Sequence, residues 1–313
     1  MASISFLKNH EIDKSKWDFC VQNSVNGKVY ACSWYLDCVA NNWDGLVYGD
    51  YDLVFPVIYK YIVCFKKIYH PLFCQQLGPF SKFPQLLYDP IIVNSILSCL
   101  SKKYSSFEFS INHDAVSFFE KNIFLNQRSI SILHRTNLEL DLSVDYKTLF
   151  DQFSNNTKRN LKIAQASDLV MRKIQDFDEF LVIYKANVGV KANLNMADYD
   201  IMKSVFLNCK ERNIGFLFGV YDVHNALLGC AFFISFLKRH ILLFNVSIHK
   251  KKHMGAMTYL LNEYIKQNCS KNTILDFEGS NLSGVQRFYK GFGAVEKNYI
   301  SIKKSLFNIK ILD

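Results

Sequence analysis

The sequence lacks the cysteine patterns that mark disulfide frameworks and zinc sites. Its nine cysteines are scattered, with no Cys-x-x-Cys pair and no His–Cys ligand spacing. An odd, unpatterned set of thiols without a secretion signal is typical of reduced cysteines, several of them buried as small hydrophobic residues. We therefore expect no disulfide framework, no metal site and a cytoplasmic location.

The sequence also lacks a segment that would carry it into or across a membrane. Its start, MASISFLKNHEIDKSKWDF, has no basic stretch followed by an apolar run, so we expect no signal peptide. The longest apolar stretch, residues 53–65, is interrupted by Pro56 and Lys60 and is rich in β-forming residues. It is too short for a transmembrane helix, so we expect a soluble protein.

Acidic residues are few relative to basic ones, above all towards the C-terminus. The net charge is +9, and from Val246 onward the chain carries 11 Lys or Arg against 5 Asp or Glu. Such an excess suits a phosphate-bearing ligand, a nucleic acid or an anionic membrane surface, and equally a lysine-rich solvated surface. Charge alone therefore leaves the partner open.

Two stretches of the chain share a three-strand pattern. Residues 43–80 and 213–251 each form apolar strand-like runs broken by short turns. The octets GLVYGDYD, from Gly45, and GFLFGVYD, from Gly215, share two Gly, one Tyr and one Asp. This pattern predicts an internal duplication, and 313 residues, half of them apolar, suffice for two domains.

Proline is absent from the second half of the chain, since the last of the five prolines is Pro90. Apolar periodicity and capping residues predict helices in that half. The predicted helical stretches are 145–167, 176–190, 196–212, 254–268 and 282–293. A terminal strand pair is predicted from residue 295. We place the domain boundary near residue 135, which gives domains 1–135 and 136–313.

A basic loop precedes the helix predicted at 254–268. Free backbone N–H groups at a helix N-terminus bind phosphate oxygens, and a glycine such as Gly255 lets the ligand approach closely. The residues before it add charge and hydrogen-bond donors. These residues are Lys250, Lys251, Lys252 and His253. The alternative interpretation is an ordinary strand-to-helix turn with solvated lysines.

Three stretches resemble a known superfamily. Residues 252–257 are similar to the pyrophosphate loop of GNAT acyltransferases, with Lys252 in place of the usual Gln or Arg and Met257 in place of the last small residue. RFYKGFGAV, from Arg287, resembles the helix end of GNAT enzymes and of FemABX-like proteins. NTKRNLKIA, residues 156–164, resembles a basic helix of FemABX-like chains. The resemblance implies an α/β fold of two tandem GNAT-like domains, each a mixed, mostly antiparallel sheet flanked by helices, the first degenerate.

The resemblance also implies a donor. GNAT enzymes use acyl-CoA, and a helix Tyr protonates the departing thiolate, whereas FemABX enzymes take an aminoacyl group from tRNA and usually have Lys there. This chain has Tyr289, a phenol able to share its proton as a C–S bond breaks, which favours acyl-CoA or acetyl-CoA. The alternative is that Tyr289 is a packed aromatic beside Phe288 and Phe292. The residues expected to hold CoA are Val246, Ser247, Ile248, Lys250, Lys251, Lys252, His253, Met254, Gly255 and Ala256.

Two carboxylates are candidates for the base that deprotonates an acceptor amine. Asp276 and Glu278 are two residues apart on a predicted strand, so their side chains point to the same face. Either could act directly or through water. The alternative is that Glu278 and Ser280 cap the turn and helix that follow.

Four basic residues are candidates for binding an anionic acceptor, although charges at such spacings also occur on solvated helices. They are Lys158, Arg159, Lys162 and Lys191. In the first domain, Pro79 and Pro84 stand where the second has its basic loop and should prevent the same helix. We therefore expect the first domain not to bind CoA and to shape the acceptor groove.

The sequence thus predicts a tandem GNAT-like N-acyltransferase that moves an acyl group from a CoA thioester to a primary amine, with Tyr289 as acid and Glu278 or Asp276 as base. Metal and DNA are not expected. One alternative is a FemABX-like transferase that uses aminoacyl-tRNA on a cell-wall or lipid precursor. The other is a non-catalytic binding module that kept the fold.

Overall fold

The chain forms two compact units in the computed structural model. The structure describes residues 3–63, 65–117, 119–120, 130–248, 255–279 and 282–305. Thr136–Lys297 is unit 2, and the residues before it together with the last strand are unit 1. The predicted division at 136–313 differs at its C-terminal end, because the last strand pairs with a strand of unit 1.

Unit 1 is a mixed sheet with helices. Its strands are β1 (Ile4–Leu7), β2 (Trp43–Tyr48), β3 (Leu53–Ile62), β4 (Phe65–Ile68), β5 (Phe80–Ser81), β6 (Phe107–Ile111) and, from residue 298 on, β13 (Val295–Lys304). Its helices include α1 (Lys14–Gln22), α2 (Ser33–Val39), α3 (Pro84–Leu87) and α4 (Pro90–Lys103).

The sheet of unit 1 has the order β1-β2-β3-β4-β6-β13. Neighbouring strands are antiparallel except β4 and β6, which run parallel at Ile68 and Phe107. Apolar residues of the sheet and of α4 share one core. Pro84 was predicted to prevent a helix, but it is the first residue of α3. Proline is tolerated there because the first helical turn needs no backbone donor.

Unit 2 contains more helix. Its strands are the end of β7 (Ile130–Asp141), β8 (Val170–Lys173), β9 (Gly215–Tyr221), β10 (Leu227–Phe236), β11 (Arg239–Ser247) and β12 (Ile274–Asp276). Its helices are α5 (Tyr146–Gln152), α6 (Asn155–Gln165), α7 (Phe177–Tyr184), α8 (Met196–Glu211), α9 (Ala256–Asn268) and α10 (Ser283–Lys290). A turn of π-helix, Lys185–Gly189, extends α7.

The sheet of unit 2 repeats the arrangement of unit 1. Its order is β8-β9-β10-β11-β12-β7, and only the β11–β12 pair is parallel. Both predicted three-strand meanders are present, as β2-β3-β4 and β9-β10-β11. The predicted class, a mixed and mostly antiparallel α/β fold, is confirmed.

Local signals explain most of the helix boundaries in unit 2. The side chain of Ser154 accepts a hydrogen bond from the Thr157 amide and so caps α6. Asn195 and Asp198 form a capping box at the start of α8. The last helix ends at Lys290 rather than Gly293, which has a φ of 84° and so turns the chain. Where a terminal strand pair was predicted, the described residues contain β13 alone.

Candidate active site

The edge of β11 that faces β12 becomes free halfway along the strand. The two strands pair over Arg239–Ile241 and Ile274–Asp276, and β12 then ends, while β11 continues to Ser247. The Ile248 amide donates to the Leu228 carbonyl, on the β10 side. Because successive residues direct their backbone groups to opposite edges, Ser247 presents its N–H and C=O to the edge that β12 has left.

A cavity of about 670 Å³ lies at this edge of unit 2. Its walls come from β11, α6, the start of α9 and one side of α10. They consist of Arg159, Asn160, Ile163, Asn245, Ser247, Gly255, Ala256, Met257, Thr258, Gly284, Val285, Phe288 and Tyr289. The volume is within the range of small-molecule sites, roughly 300–1,000 Å³, and the wall combines apolar side chains with polar ones in similar number.

The phenol of Tyr289 is the acidic group in the cavity wall. Tyr289 is 5% exposed, and its ring stacks on Phe277 with centroids 4.6 Å apart. The Asn245 side-chain amide donates a 3.1 Å hydrogen bond to the phenol oxygen, which leaves the phenol hydrogen for another partner. Burial raises the pKa of Tyr289 to about 12, so the group is a neutral proton donor near pH 7.

The start of α9 is held against α6. Gly255, the residue before α9, has a φ of 64°, and a Cβ placed on it would lie 2.6 Å from the Asn160 carbonyl oxygen. Gly255 gives the helix no side-chain cap, and the residues of the first turn, Ala256, Met257 and Thr258, line the cavity. The N–H groups of a first turn have no acceptor within their own helix. The helix dipole and these N–H groups favour an anion here, beside the exposed Arg159.

Asp276 belongs to a buried ion cluster. Arg239 Nη1 lies 2.6 Å from Asp276 Oδ2 and 2.6 Å from Glu139 Oε1. Burial alone would lower the pKa of Arg239, but the charges of Asp276 and Glu139 outweigh burial and raise that pKa above its ordinary value. The other Asp276 oxygen accepts the Glu278 amide at 2.9 Å. Asp276 therefore fixes neighbouring groups, and it is not part of the cavity wall.

Glu278 follows β12 in a left-handed turn. Its φ is 58° and that of Gly279 is 68°, where a Cβ would lie 2.2 Å from the Thr136 carbonyl oxygen. Glu278 is half-buried. Burial is the main cause that raises the pKa of both Tyr289 and Tyr184, and the charge of Glu278 adds to it in each case. Leu282, the residue before α10, makes no side-chain cap, and Ser280 lies outside the described residues.

The structure brings together only part of the predicted site. Ser247, Gly255, Ala256 and Tyr289 line the cavity, as does one of the four predicted acceptor-binding cations, Arg159. The predicted residues that do not line it are Val246, Ile248, Lys158, Lys162, Lys191, Asp276 and Glu278. The predicted residues Lys250, Lys251, Lys252, His253 and Met254 lie outside the described residues.

For three of these residues the structure gives a physical reason why they do not line the cavity. The backbone groups of Val246 and Ile248 face β10 because of the strand alternation described above. Lys158 turns back towards α5, where its ammonium donates to the Asp151 carbonyl at 3.0 Å and lies 5.3 Å from the Phe150 ring centroid.

Sequence reasoning missed the amides of the cavity wall. Asn245 is a polar residue in a strand whose neighbours, Phe244 and Val246, are buried, and that interruption is the signal that could have found it. Asn160 lies in the basic helix, where cations drew attention instead. The described residues contain no cluster of His, Cys, Asp and Glu able to hold a metal ion. No helix among them is long and apolar enough to cross a bilayer.

Comparison with known proteins identifies the fold. No family model and no curated protein matches the sequence. FemX aligns with 92% of this chain and 96% of its own, with a TM-score of 0.67 at 11% identity. L-PGS from Bacillus licheniformis aligns over 96% and 94%, with a TM-score of 0.59 at 11% identity. The C-terminal domain of a candidate lysylphosphatidylglycerol synthetase from Agrobacterium fabrum aligns over 95% and 92%, with a TM-score of 0.58 at 10% identity.

These identities are low, so the likeness shows the fold alone. The chain has a GNAT-like fold of the FemABX type, as the sequence resemblance predicted. The chain matches these structures over nearly its whole length, which means that both units take part in the likeness.

Proposed function

We propose that unit 2 transfers an acyl group from a CoA thioester to an amine acceptor. The observation that carries the proposal is the neutral phenol of Tyr289 in the wall of the cavity, with Asn245 holding its oxygen. A phenol donates its proton best to a group that becomes basic during the reaction, and a departing thiolate is such a group. An open cavity supports an active enzyme over a module that has lost its site.

The cavity offers a place for each part of the donor. The N–H groups in the first turn of α9, with Arg159 beside them, suit the phosphates of CoA. The backbone groups of Ser247 on the open edge of β11 suit the pantetheine amides and the thioester carbonyl. Positioning of the two reactants and stabilisation of the oxyanion then supply most of the rate acceleration.

The transfer itself is a direct attack. The amine nitrogen attacks the carbonyl carbon of the thioester, and the C–S bond breaks. The thiolate takes the phenol proton of Tyr289, and the proton lost by the amine passes to Glu278, directly or through water. Asp276 is then a positioning residue, since its carboxylate holds the Glu278 amide.

A calorimetric titration of the protein with acetyl-CoA tests the donor. We expect saturable binding, weakened by Arg159→Gln and unchanged by Lys158→Gln, because Lys158 does not line the cavity. Absence of binding up to millimolar acetyl-CoA contradicts the CoA donor.

Tyr289→Phe tests the chemistry. The variant keeps the ring that stacks on Phe277 and removes the acid, so acetyl-CoA should bind as before while turnover with an amine falls about 10²–10⁴-fold. Turnover within threefold or so of the parent protein would mean that the phenol is only a packed aromatic.

A second candidate is transfer of an aminoacyl group from tRNA. It is favoured by the whole-chain likeness to FemX and to a candidate lysylphosphatidylglycerol synthetase, whose name describes an aminoacyl ester of a phospholipid. This function predicts binding of aminoacyl-tRNA that falls steeply with salt, and turnover that survives Tyr289→Phe.

A further inference from the structure

The hairpin between β3 and β4 in unit 1 ends in exposed apolar side chains. Tyr61 is 58% exposed, Ile62 45%, Val63 90% and Phe65 69%, whereas Leu53–Tyr59 of the same hairpin are all buried. Among the described residues, nothing covers these four side chains enough to bury them. Residue 64 lies outside the described part of the chain. We call residues 61–63 and Phe65 the apolar tip.

Lysines stand directly behind the apolar tip. Lys60 lies opposite Lys67 in the antiparallel register, and Tyr61 lies opposite Lys66. Like charges that face each other across two strands destabilise a hairpin, so the fold gains nothing from the Lys60–Lys67 pair. Residues 59–69 contain three lysines and no acidic residue. The hairpin therefore presents an apolar end, and the cationic side chains of Lys60, Lys66 and Lys67 lie one or two residues behind it.

We propose that this hairpin docks the protein on an anionic phospholipid bilayer. The apolar tip enters the boundary between headgroups and acyl chains, and Lys60, Lys66 and Lys67 meet the phosphate groups. Interfacial anchors combine these two features, a buried apolar face and cations at headgroup level. Because a strand rises about 3.3 Å per residue, these lysines lie at the level of the headgroups when the apolar tip is inserted.

The order of the side chains favours a bilayer over a nucleic acid. A surface for single-stranded RNA needs cations along the backbone track and aromatic rings for stacking. Here the most exposed of the described apolar side chains, Val63, is aliphatic, and Ile62 and Phe65 flank it. The Lys66 ammonium lies 4.1 Å from the Tyr59 ring centroid and 5.3 Å from that of Tyr61, so it occupies one face of each ring that a stacked base would need.

Co-sedimentation of the full-length protein with lipid vesicles tests the proposal. One set of vesicles is phosphatidylcholine alone, and in the other about a third of the lipid is phosphatidylglycerol. We expect binding to the anionic vesicles at least about tenfold stronger than to the neutral ones, weakening with salt. Lys60→Gln/Lys67→Gln should lower it by about fivefold for each lysine removed.

Variants of the apolar tip test the insertion. Val63→Asn with Phe65→Ser should lower binding to anionic vesicles by about tenfold or more. Val63 has a φ of 55°, a conformation that Asn adopts more readily than Val, so the fold should tolerate that change, as a melting curve will check.

Matched controls lie elsewhere in unit 1. Ile91→Ser removes a side chain that is 75% exposed on α4, and Lys16→Gln/Lys102→Gln removes two exposed lysines. Both should bind anionic vesicles as the parent protein does. The proposal is overturned if the tip variant and its control bind vesicles equally, or if the parent protein retains tRNA on a filter and leaves anionic vesicles unbound.

Discussion

Tyr289 shows how one residue can be packed and chemically active at once. Its ring belongs to the apolar core of unit 2, where it stacks on Phe277, and its hydroxyl reaches the cavity. The two interpretations that the sequence left open therefore do not exclude each other. The same burial that makes Tyr289 a core residue keeps its phenol protonated.

That burial has a consequence for stability at high pH. The pKa of Tyr289 is about 12 in the folded protein, against about 10 in an unfolded chain. Between these values the unfolded chain releases a proton that the native phenol keeps, so the contribution is complete below pH 10 and is lost as the pH rises towards 12. We expect Tyr289→Phe to make the free energy of unfolding less dependent on pH in this window. The slope against pH should fall by up to the amount that one proton released on unfolding produces. Urea unfolding at several pH values across the window measures this dependence.

Arg239 is a second residue whose replacement should change the stability of the protein. Its guanidinium compensates two carboxylates, Glu139 and Asp276, whose side chains are 9% and 1% exposed. Arg239→Met would leave both without their counter-ion, and removing one member of a buried ion pair typically costs about 3–5 kcal/mol. We expect a loss of that size in urea unfolding.

The exposed pair of Lys290 and Glu296 is the control for this prediction. Both side chains are more than 40% exposed, so Lys290→Met should cost less than about 1 kcal/mol. Equal losses for the two variants would mean that the buried cluster contributes no more than a surface pair.

Residue types could be predicted from the sequence, but not their partners. Strand alternation predicted that Asp276 and Glu278 share one face of a strand, and that prediction is wrong, because β12 ends at Asp276 and Glu278 follows in a left-handed turn. The alternation rule describes a residue only while the strand continues. It could not show that Asp276 is bound by Arg239, which lies on the adjacent parallel strand and is 37 residues away along the chain. A buried carboxylate with a distant counter-ion has the same local sequence pattern as a free one.

At the scale of elements, the contact between α6 and α9 holds together the end of the cavity where we propose that the phosphates of the donor bind. Gly255→Ala would place a methyl group 2.6 Å from the Asn160 carbonyl oxygen and 3.3 Å from Ala164, at a φ of 64°. We expect a loss of about 1–3 kcal/mol in stability, from the strained backbone, and a fall in acetyl-CoA affinity as the helices separate. Calorimetry and urea unfolding measure the two effects.

Gly284→Ala provides the comparison in the same cavity wall. A Cβ at Gly284 meets nothing within 4 Å, and the residue lies in the first turn of α10. The substitution should stabilise the protein by about 0.4–1 kcal/mol, because it lowers the conformational entropy of the unfolded chain, and it should leave the contact of α6 with α9 intact. A Gly255→Ala variant as stable as Gly284→Ala would contradict the packing that the structure describes.

The elements themselves could largely be predicted. Apolar periodicity and capping residues indicated the helices of unit 2 and both meanders, because these signals are local. Strand β8 was missed, since four residues with mostly exposed side chains carry no apolar alternation. The pairing of β13 with β6 was missed for a different reason: Ile300 and Ile302 are buried in unit 1, and no local pattern says which sheet a strand joins.

At the scale of the whole molecule, the net charge of +9 affects any test of the donor. A protein of this charge attracts polyanions without a specific site, so retention of tRNA at low salt does not by itself indicate an aminoacyl transferase. The dependence of affinity on salt is more informative. A nucleic acid that contacts many lysines releases many counter-ions, whereas a ligand with few phosphates releases few.

We therefore expect the logarithm of the acetyl-CoA affinity to fall only gently with the logarithm of salt concentration. Arg159→Gln should reduce that slope by about one contact, because Arg159 is the cation of the described cavity wall, and Lys158→Gln should leave it unchanged. Calorimetric titrations from low to physiological salt measure the slopes. If tRNA binding persists at physiological salt and depends on Arg159 while acetyl-CoA binding does not, the donor is the tRNA, and the cavity then receives its aminoacyl end.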